Sequence, residues 1–389
     1  MISTLVFLII LSILVVSHEL GHFLAARALG VGVDVFSLGF GKRIAGLSRG
    51  RTDYRLSALP LGGYVKMVGE DPGSEVDPEL AAVSFSGKPV WARMIIVAAG
   101  PAFNLILSTL VFFAFFAARG VPELPPVVGD VSPGLPAMQA GLKPGDRILT
   151  MAGKSVRIWD DISGIIQENG EKPLAVKISR RDPVLVLPSG GLLCGGIDDF
   201  RCAETFGPIY ERSLTMTPVV GESENKYTER IKKVMIGIGP GPYDFMPAGL
   251  PKTAAAALGQ TWQVCYLTVG TVGRIFTGAV SASKSVGGPI SMARTTGVMT
   301  RDWSHDHAGT LWSLLFFLGL LSASLGIINL FPVPVLDGGH LLFFVMEAAM
   351  RRPVSLKIRE AATRAGVVII MILMVFFIVN DILRWVTGA

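Results

Sequence analysis

The chain has 389 residues, half of them hydrophobic and only 17% charged, with a formal net charge of +5 and a mean hydropathy of +0.53. That balance excludes an ordinary soluble globular protein and a disordered one, and it reads as an integral membrane protein. Three cysteines are too few for a disulfide-built scaffold. The modest positive charge calls for no nucleic acid, because basic loops beside a membrane account for it.

The first predicted element is an apolar run from Ile2 to about Ala26, long enough to span a bilayer core, which takes about 20 helical residues. It has no basic leader and no small-residue cleavage site, so residues 1–26 are expected to be a retained span rather than a signal peptide. Near its end stands His18-Glu19-Leu20-Gly21-His22. Residues four apart on a helix share a face, so His18 and His22 can offer imidazole nitrogens to one zinc ion with Glu19 beside them as a base. Burying three ionisable groups in hydrocarbon is costly unless they have a role, so a metal site is the better reading than packed core histidines.

Residues 27–93 form a polar loop in which Asp53 to Met67 alternates apolar and polar residues around Pro60, Gly62 and Gly63, a pattern that predicts a β-hairpin. An open strand edge there could pair with an unwound substrate segment, which makes Gly63, Tyr64, Val65 and Lys66 candidate substrate-binding residues. The second span is Met94 to Ala118 (94–118). Residues 120–250 then read as strand, short helix, glycine cap, Pro-Gly turn and strand, with a helix at Asp160–Asn169 and a strand at Leu174–Ser179. This α+β pattern looks like a PDZ domain whose groove would take an extended peptide or a carboxyl terminus. A glycine-rich insertion near 187–210 carries Cys194 and Cys202, either a disulfide or two free thiols, and Ser213–Pro218 and Val234–Gly239 are expected as remaining strands. Residues 251–309 hold Trp262, Tyr266 and Phe276 among small residues and read either as a membrane-surface helix or as a helix packed on the middle domain.

The third span runs from Leu311 to Phe331, with residues 311–339 ending in Asn329-Leu330-Phe331-Pro332-Val333-Pro334-Val335-Leu336-Asp337-Gly338-Gly339. The prolines break the helix, and the two glycines are expected to take conformations closed to other residues. Broken backbone at membrane depth implies a protein-packed or wet cavity. A catalytic zinc takes three protein ligands and leaves a fourth position for water; Asp337 is the expected third ligand, with His340 as the alternative, while His305 and His307 lie before the span. A loop (340–364) and a fourth span (365–386) complete the chain. Lysines and arginines crowd the loops 27–93 and 340–364, so both are expected to be cytoplasmic, with both termini and the middle domain on the opposite side.

His18 to His22 and Asn329 to Gly339 together resemble the site-2 protease family of intramembrane zinc metalloproteases. Phe36 to Gly41, Pro60 to Met67 and Gly100-Pro101-Ala102-Phe103-Asn104 extend the likeness over nearly the whole chain, and within the family it is similar to the bacterial RseP-type (regulator of sigma-E protease) enzymes, here with a single PDZ domain. The resemblance implies a polytopic α-helical protein of four spans in the bacterial cytoplasmic (inner) membrane, with a membrane-associated β-hairpin and an extracytoplasmic PDZ domain. It also implies one Zn2+ per chain and regulated intramembrane proteolysis of single-span substrates of the anti-sigma-factor type, and of signal-peptide remnants. Two other classes remain open on the residues alone: an intramembrane zinc transporter, which would leave Glu19 without a purpose, and an inactive scaffold presenting the PDZ domain.

Overall fold

The computed structural model describes residues 2–70, 77–183, 206–224, 230–242, 244–278, 288–301 and 306–387. Cys194, Cys202 and His305 lie outside the described residues, as does most of the expected insertion. The chain divides into two compact units, one made of residues 1–118 and 248–389, the other of Arg119–Pro247.

In the first unit, α1 covers Ile2–Ala28 and is followed by the long strands β1 (Val33–Arg49) and β2 (Thr52–Met67), then by α2 (Val90–Arg119). The expected hairpin over Asp53–Met67 is corrected here: its two arms do not pair with each other. Ser37 stands between Arg55 on one side and Tyr64 on the other, so the first half of β1 separates them. A hairpin does form, but it closes at the Gly50-Arg51 turn and pairs the second half of β1 with the start of β2, as in Leu47 with Tyr54. The result is four sheet segments in the order 43–49, 52–57, 33–40, 63–67, with residues 63–67 at one edge. The sequence pattern could not separate the two pairings, because alternation fixes which face a strand buries and not which strand it joins.

The second unit contains β3 (Val121–Glu123), β4 (Val128–Val131), the single-turn α3 (Pro136–Gln139), β5 (Arg147–Met151), β6 (Lys154–Ser155), α4 (Trp159–Asn169) and β7 (Leu174–Pro183). It continues with β8 (Phe206–Met216), β9 (Val219–Glu224), β10 (Arg230–Met235), β11 (Ile238–Pro240) and β12 (Asp244–Met246). One sheet has the order β6-β5-β7-β8, and β11 pairs with β4. Its core is built from Ile148, Met151, Ile162, Leu174, Val176 and Ile178, all nearly fully buried, each stabilising the fold by about 1.5–3 kcal/mol on burial. Beneath this core a buried Arg180 grips Asp146 with two bonds of 2.6 Å and donates a third, of 2.7 Å, to the Gly141 carbonyl. The carboxylate beside it holds the guanidinium pKa above its ordinary range.

The first unit resumes with α5 (Leu250–Phe276), α6 (Pro289–Met299), α7 (His307–Asn329), α8 (Asp337–Met350) and α9 (Leu356–Thr387). Among the described residues, four helices are long and apolar enough to cross a membrane: α1, α2, α7 and α9. Three sequence boundaries shift. The third span starts at His307 and stops at Asn329, before the prolines; the loop expected over 340–364 is largely helical; and the fourth helix begins at Leu356. Helix α5 lies against α2, where the Thr261 hydroxyl meets those of Ser108 and Thr109 at 3.3 and 3.1 Å. Near the far end of α9 a buried carboxylate, Asp381, accepts from the backbone nitrogens of Gly288 and Ser291 at 3.1 and 3.0 Å and so anchors the start of α6. A lone acid in an apolar helix needs such partners.

Candidate metal centre

Helix α1 carries His18, Glu19 and His22 into contact with α2, and glycine makes the approach possible. A Cβ on Gly21 would stand 2.3 Å from the Ala99 carbonyl oxygen, and one on Gly100 would stand 2.3 Å from His22 Nε2 and 2.9 Å from His18 Cε1. Small residues let membrane helices come this close. Here the space they leave is filled by the two imidazoles.

Asp337 reaches the same place from the first turn of α8, where an acidic side chain suits the positive helix end. The expectation about Gly338 and Gly339 is corrected: neither has a positive φ. What they provide is clearance, since a Cβ on Gly338 would stand 2.3 Å from the carbonyl oxygens of Leu330 and Phe331, and one on Gly339 would stand 2.3 Å from that of Val333. The proline-bearing turn after α7 therefore folds tightly onto the start of α8. That fold sets the depth of Asp337.

The structure brings the donor atoms of His18, His22 and Asp337 within 4.8 Å of one another. His22 Nε2 is 3.2 Å from His18 Nε2, Asp337 Oδ2 is 3.0 Å from His18 Nε2, and Asp337 Oδ1 is 3.6 Å from His22 Nε2. His22 Nδ1 donates to the Ile96 carbonyl at 2.9 Å, which leaves Nε2 as a bare lone pair. Asp337 Oδ2 is buried and takes no well-oriented hydrogen bond. Lone pairs turned on one another without a proton to share are unfavourable unless a cation lies among them. Two imidazoles and a carboxylate are the donor set of a catalytic zinc, and the edges of a tetrahedron with arms of about 2.0 Å measure about 3.3 Å, close to the separations seen. The residues fit zinc.

Around these three side chains lies a cavity of about 370 Å³ lined by Glu19, Tyr64, Val65, Met67, His340 and Arg359 among others. Gly63 packs close to Glu19, a Cβ there standing 3.4 Å from the Glu19 Cγ, and the Val65 backbone N–H points as a donor to the Glu19 carboxylate. Lys66 is exposed and is not among the lining residues, because side chains alternate along a strand. His340 lines the cavity but stands outside the three-donor cluster, and His307 begins α7 at the end opposite Asn329. Asn329 Nδ2 is 3.5 Å from His18 Nδ1. The chemistry missed by sequence reasoning is that of Gly21, Gly100 and Asn104, whose amide nitrogen is 3.3 Å from His18 Nδ1; the available signal was a polar residue midway along an apolar span.

Two imidazoles and a carboxylate with the donor set for zinc, gathered beside a glutamate on a helix able to cross a membrane, suit a membrane-embedded peptidase, and comparison with known proteins agrees. Residues 6–373 match the model of peptidase family M50. The chain belongs to that family, the site-2 proteases. Among its relatives is protease RseP of Yersinia pestis, 32% identical over 98% of this chain and 98% of that one. Metalloprotease MmpA of Caulobacter vibrioides is 31% identical over 97% of this chain and 94% of its own length. A Rhizobium meliloti protein named provisionally as a zinc metalloprotease is 34% identical over 98% and 96%. This site-2 protease is thus a zinc metalloprotease carrying four helices able to cross a membrane, and the transporter and inactive-scaffold readings fall away.

Proposed function

We propose that this chain hydrolyses peptide bonds within membrane-spanning segments of single-span proteins, at a site built from His18, His22, Asp337 and Glu19. The observation that carries the reading is the convergence of these groups from α1 and α8 on one cavity bordered by the edge strand 63–67. His18, His22 and Asp337 would hold one zinc ion, which when bound supplies Lewis acidity and lowers the pKa of a water toward about 7. Glu19 accepts the proton of the attacking water and passes it to the leaving amide nitrogen. Asn329 donates an N–H to the substrate carbonyl oxygen as its charge develops.

A helical substrate has its own backbone bonds and must unwind to be cut. Residues 63–67 offer a replacement ladder, with Gly63, Tyr64 and Val65 nearest Glu19; the same β-element is read as membrane-associated, which its exposed Phe40, Ile44, Leu47 and Leu59 support. Lys66 would serve as a backbone partner alone. We further read Arg119–Pro247 as a PDZ domain outside the cytoplasm, whose groove, about 250 Å³ between α4 and residues 234–239, takes an extended peptide or carboxyl terminus. The cytoplasmic membrane of a bacterium is the expected location, and anti-sigma-factor-type proteins and signal-peptide remnants are the expected substrates.

The test is the Glu19→Gln variant reconstituted with a transmembrane substrate. It should keep its zinc while losing at least about a hundredfold in cleavage rate, the contribution expected of a general base. Cleavage at the parent rate would overturn the assignment.

A further inference from the structure

Metal-bound histidines donate their second ring N–H to an oxygen, which fixes the tautomer and the ring orientation. For His22 that oxygen is the Ile96 carbonyl, 2.9 Å away. Among the described residues no carbonyl takes this role for His18; its Nδ1 faces two amides, those of Asn104 at 3.3 Å and Asn329 at 3.5 Å. For His18 to turn a bare Nε2 toward zinc, its Nδ1 must carry the proton, and one amide must turn its oxygen to receive it.

We propose that Asn104 is that acceptor, a positioning residue that acts on zinc through His18. This rests on the reading of His18 as a zinc ligand. Asn104 is fully buried, it is the nearer amide, and its Oδ1 is engaged by no other group. Half a turn about χ2 exchanges the amide oxygen and nitrogen with no other movement. Its backbone is held in place by the Ser322 hydroxyl, which donates to the Asn104 carbonyl at 2.7 Å, so α2 and α7 are tied together at the residue that orients the ligand. Asn329, part-exposed at the end of α7, is left to face substrate. The two asparagines divide the work: one sets the metal and the other meets the reacting carbonyl.

The distinguishing variant is Asn104→Asp, nearly the same shape but able only to accept. Zinc affinity of the full detergent-solubilised chain, measured by chelator competition, should stay within about threefold of the parent in Asn104→Asp and fall roughly 10- to 100-fold in Asn104→Leu, the usual cost of losing such a partner. Asn329→Leu should leave zinc affinity unchanged. Loss of affinity in Asn104→Asp would overturn the proposal, since it would mean that the amide donates, and this comparison decides even if Asn104→Leu does not fold. A loss carried by Asn329→Leu would name the wrong asparagine. Undiminished affinity in His18→Ala would instead sink the ligand assignment, an outcome separate from either of these.

Discussion

At the scale of single residues, the centre depends as much on absent side chains as on present ones. The imidazoles of His18 and His22 occupy the volume that a Cβ on Gly100 would need, 2.3 Å from His22 Nε2, and α1 cannot back away from α2 without shifting both imidazoles relative to Asp337 on α8. Gly100→Ala should therefore cost zinc before it costs fold, lowering affinity at least roughly tenfold, in the range of other losses of ligand orientation. Elemental analysis of the purified variant, beside its thermal unfolding, checks this; full zinc content with parental cleavage would refute it. His18, Glu19, His22 and Asp337 were legible in the sequence because a helix repeats every 3.6 residues and because a carboxylate beside a proline-broken span needs a reason. Gly100 and Asn104 were not legible in role, since the residues they serve lie on another helix and only the folded contact names them.

At the scale of elements, local pattern and tertiary pairing part company. Alternation correctly marked 53–67 as β, yet it could not reveal that Val33–Phe40 slots between the two arms, a consequence of long strands that bend through repeated register shifts. The helix α4 shows the reverse, a local device that sequence spacing does dictate. The Asp161 carboxylate reaches back to the N–H groups of Arg157 and Ile158 at 2.9 and 3.1 Å, which closes the helix start in the manner of a capping box and holds its pKa below the ordinary carboxylate value. Because the folded value is the lower one, the stabilisation is fully present above the ordinary Asp range near about 4 and fades as pH falls through the depressed folded value. Solvent screening of this carboxylate keeps the effect near about half a kcal/mol. Hydrogen exchange of the amides at Ile162–Ile166, compared between parent and Asp161→Asn at each pH, should show the parent losing its extra protection only below about pH 4. A constant difference across the range would exclude the linkage.

At the scale of the whole molecule, hydropathy made the four candidate spans visible because backbone facing lipid must satisfy its own hydrogen bonds, as a long apolar helix does, and composition separated the polar middle segment that became the unit Arg119–Pro247. Sidedness follows from a different force. Lys42, Arg43, Arg49 and Arg51 follow the first span, and Arg351, Arg352, Lys357 and Arg359 fall between α8 and the body of α9; positive residues this close to membrane ends are retained in the cytoplasm. Both β-element and metal centre would then open to that side, while Arg119–Pro247, joined through α2 and α5, would lie on the other. Single cysteines placed at Ser48 and Glu171, in a chain whose native cysteines are replaced, separate the two arrangements. A membrane-impermeant maleimide added to spheroplasts should label Glu171→Cys directly and Ser48→Cys only after permeabilisation. The opposite pattern would invert the molecule and put the proposed hydrolytic centre on the outer side.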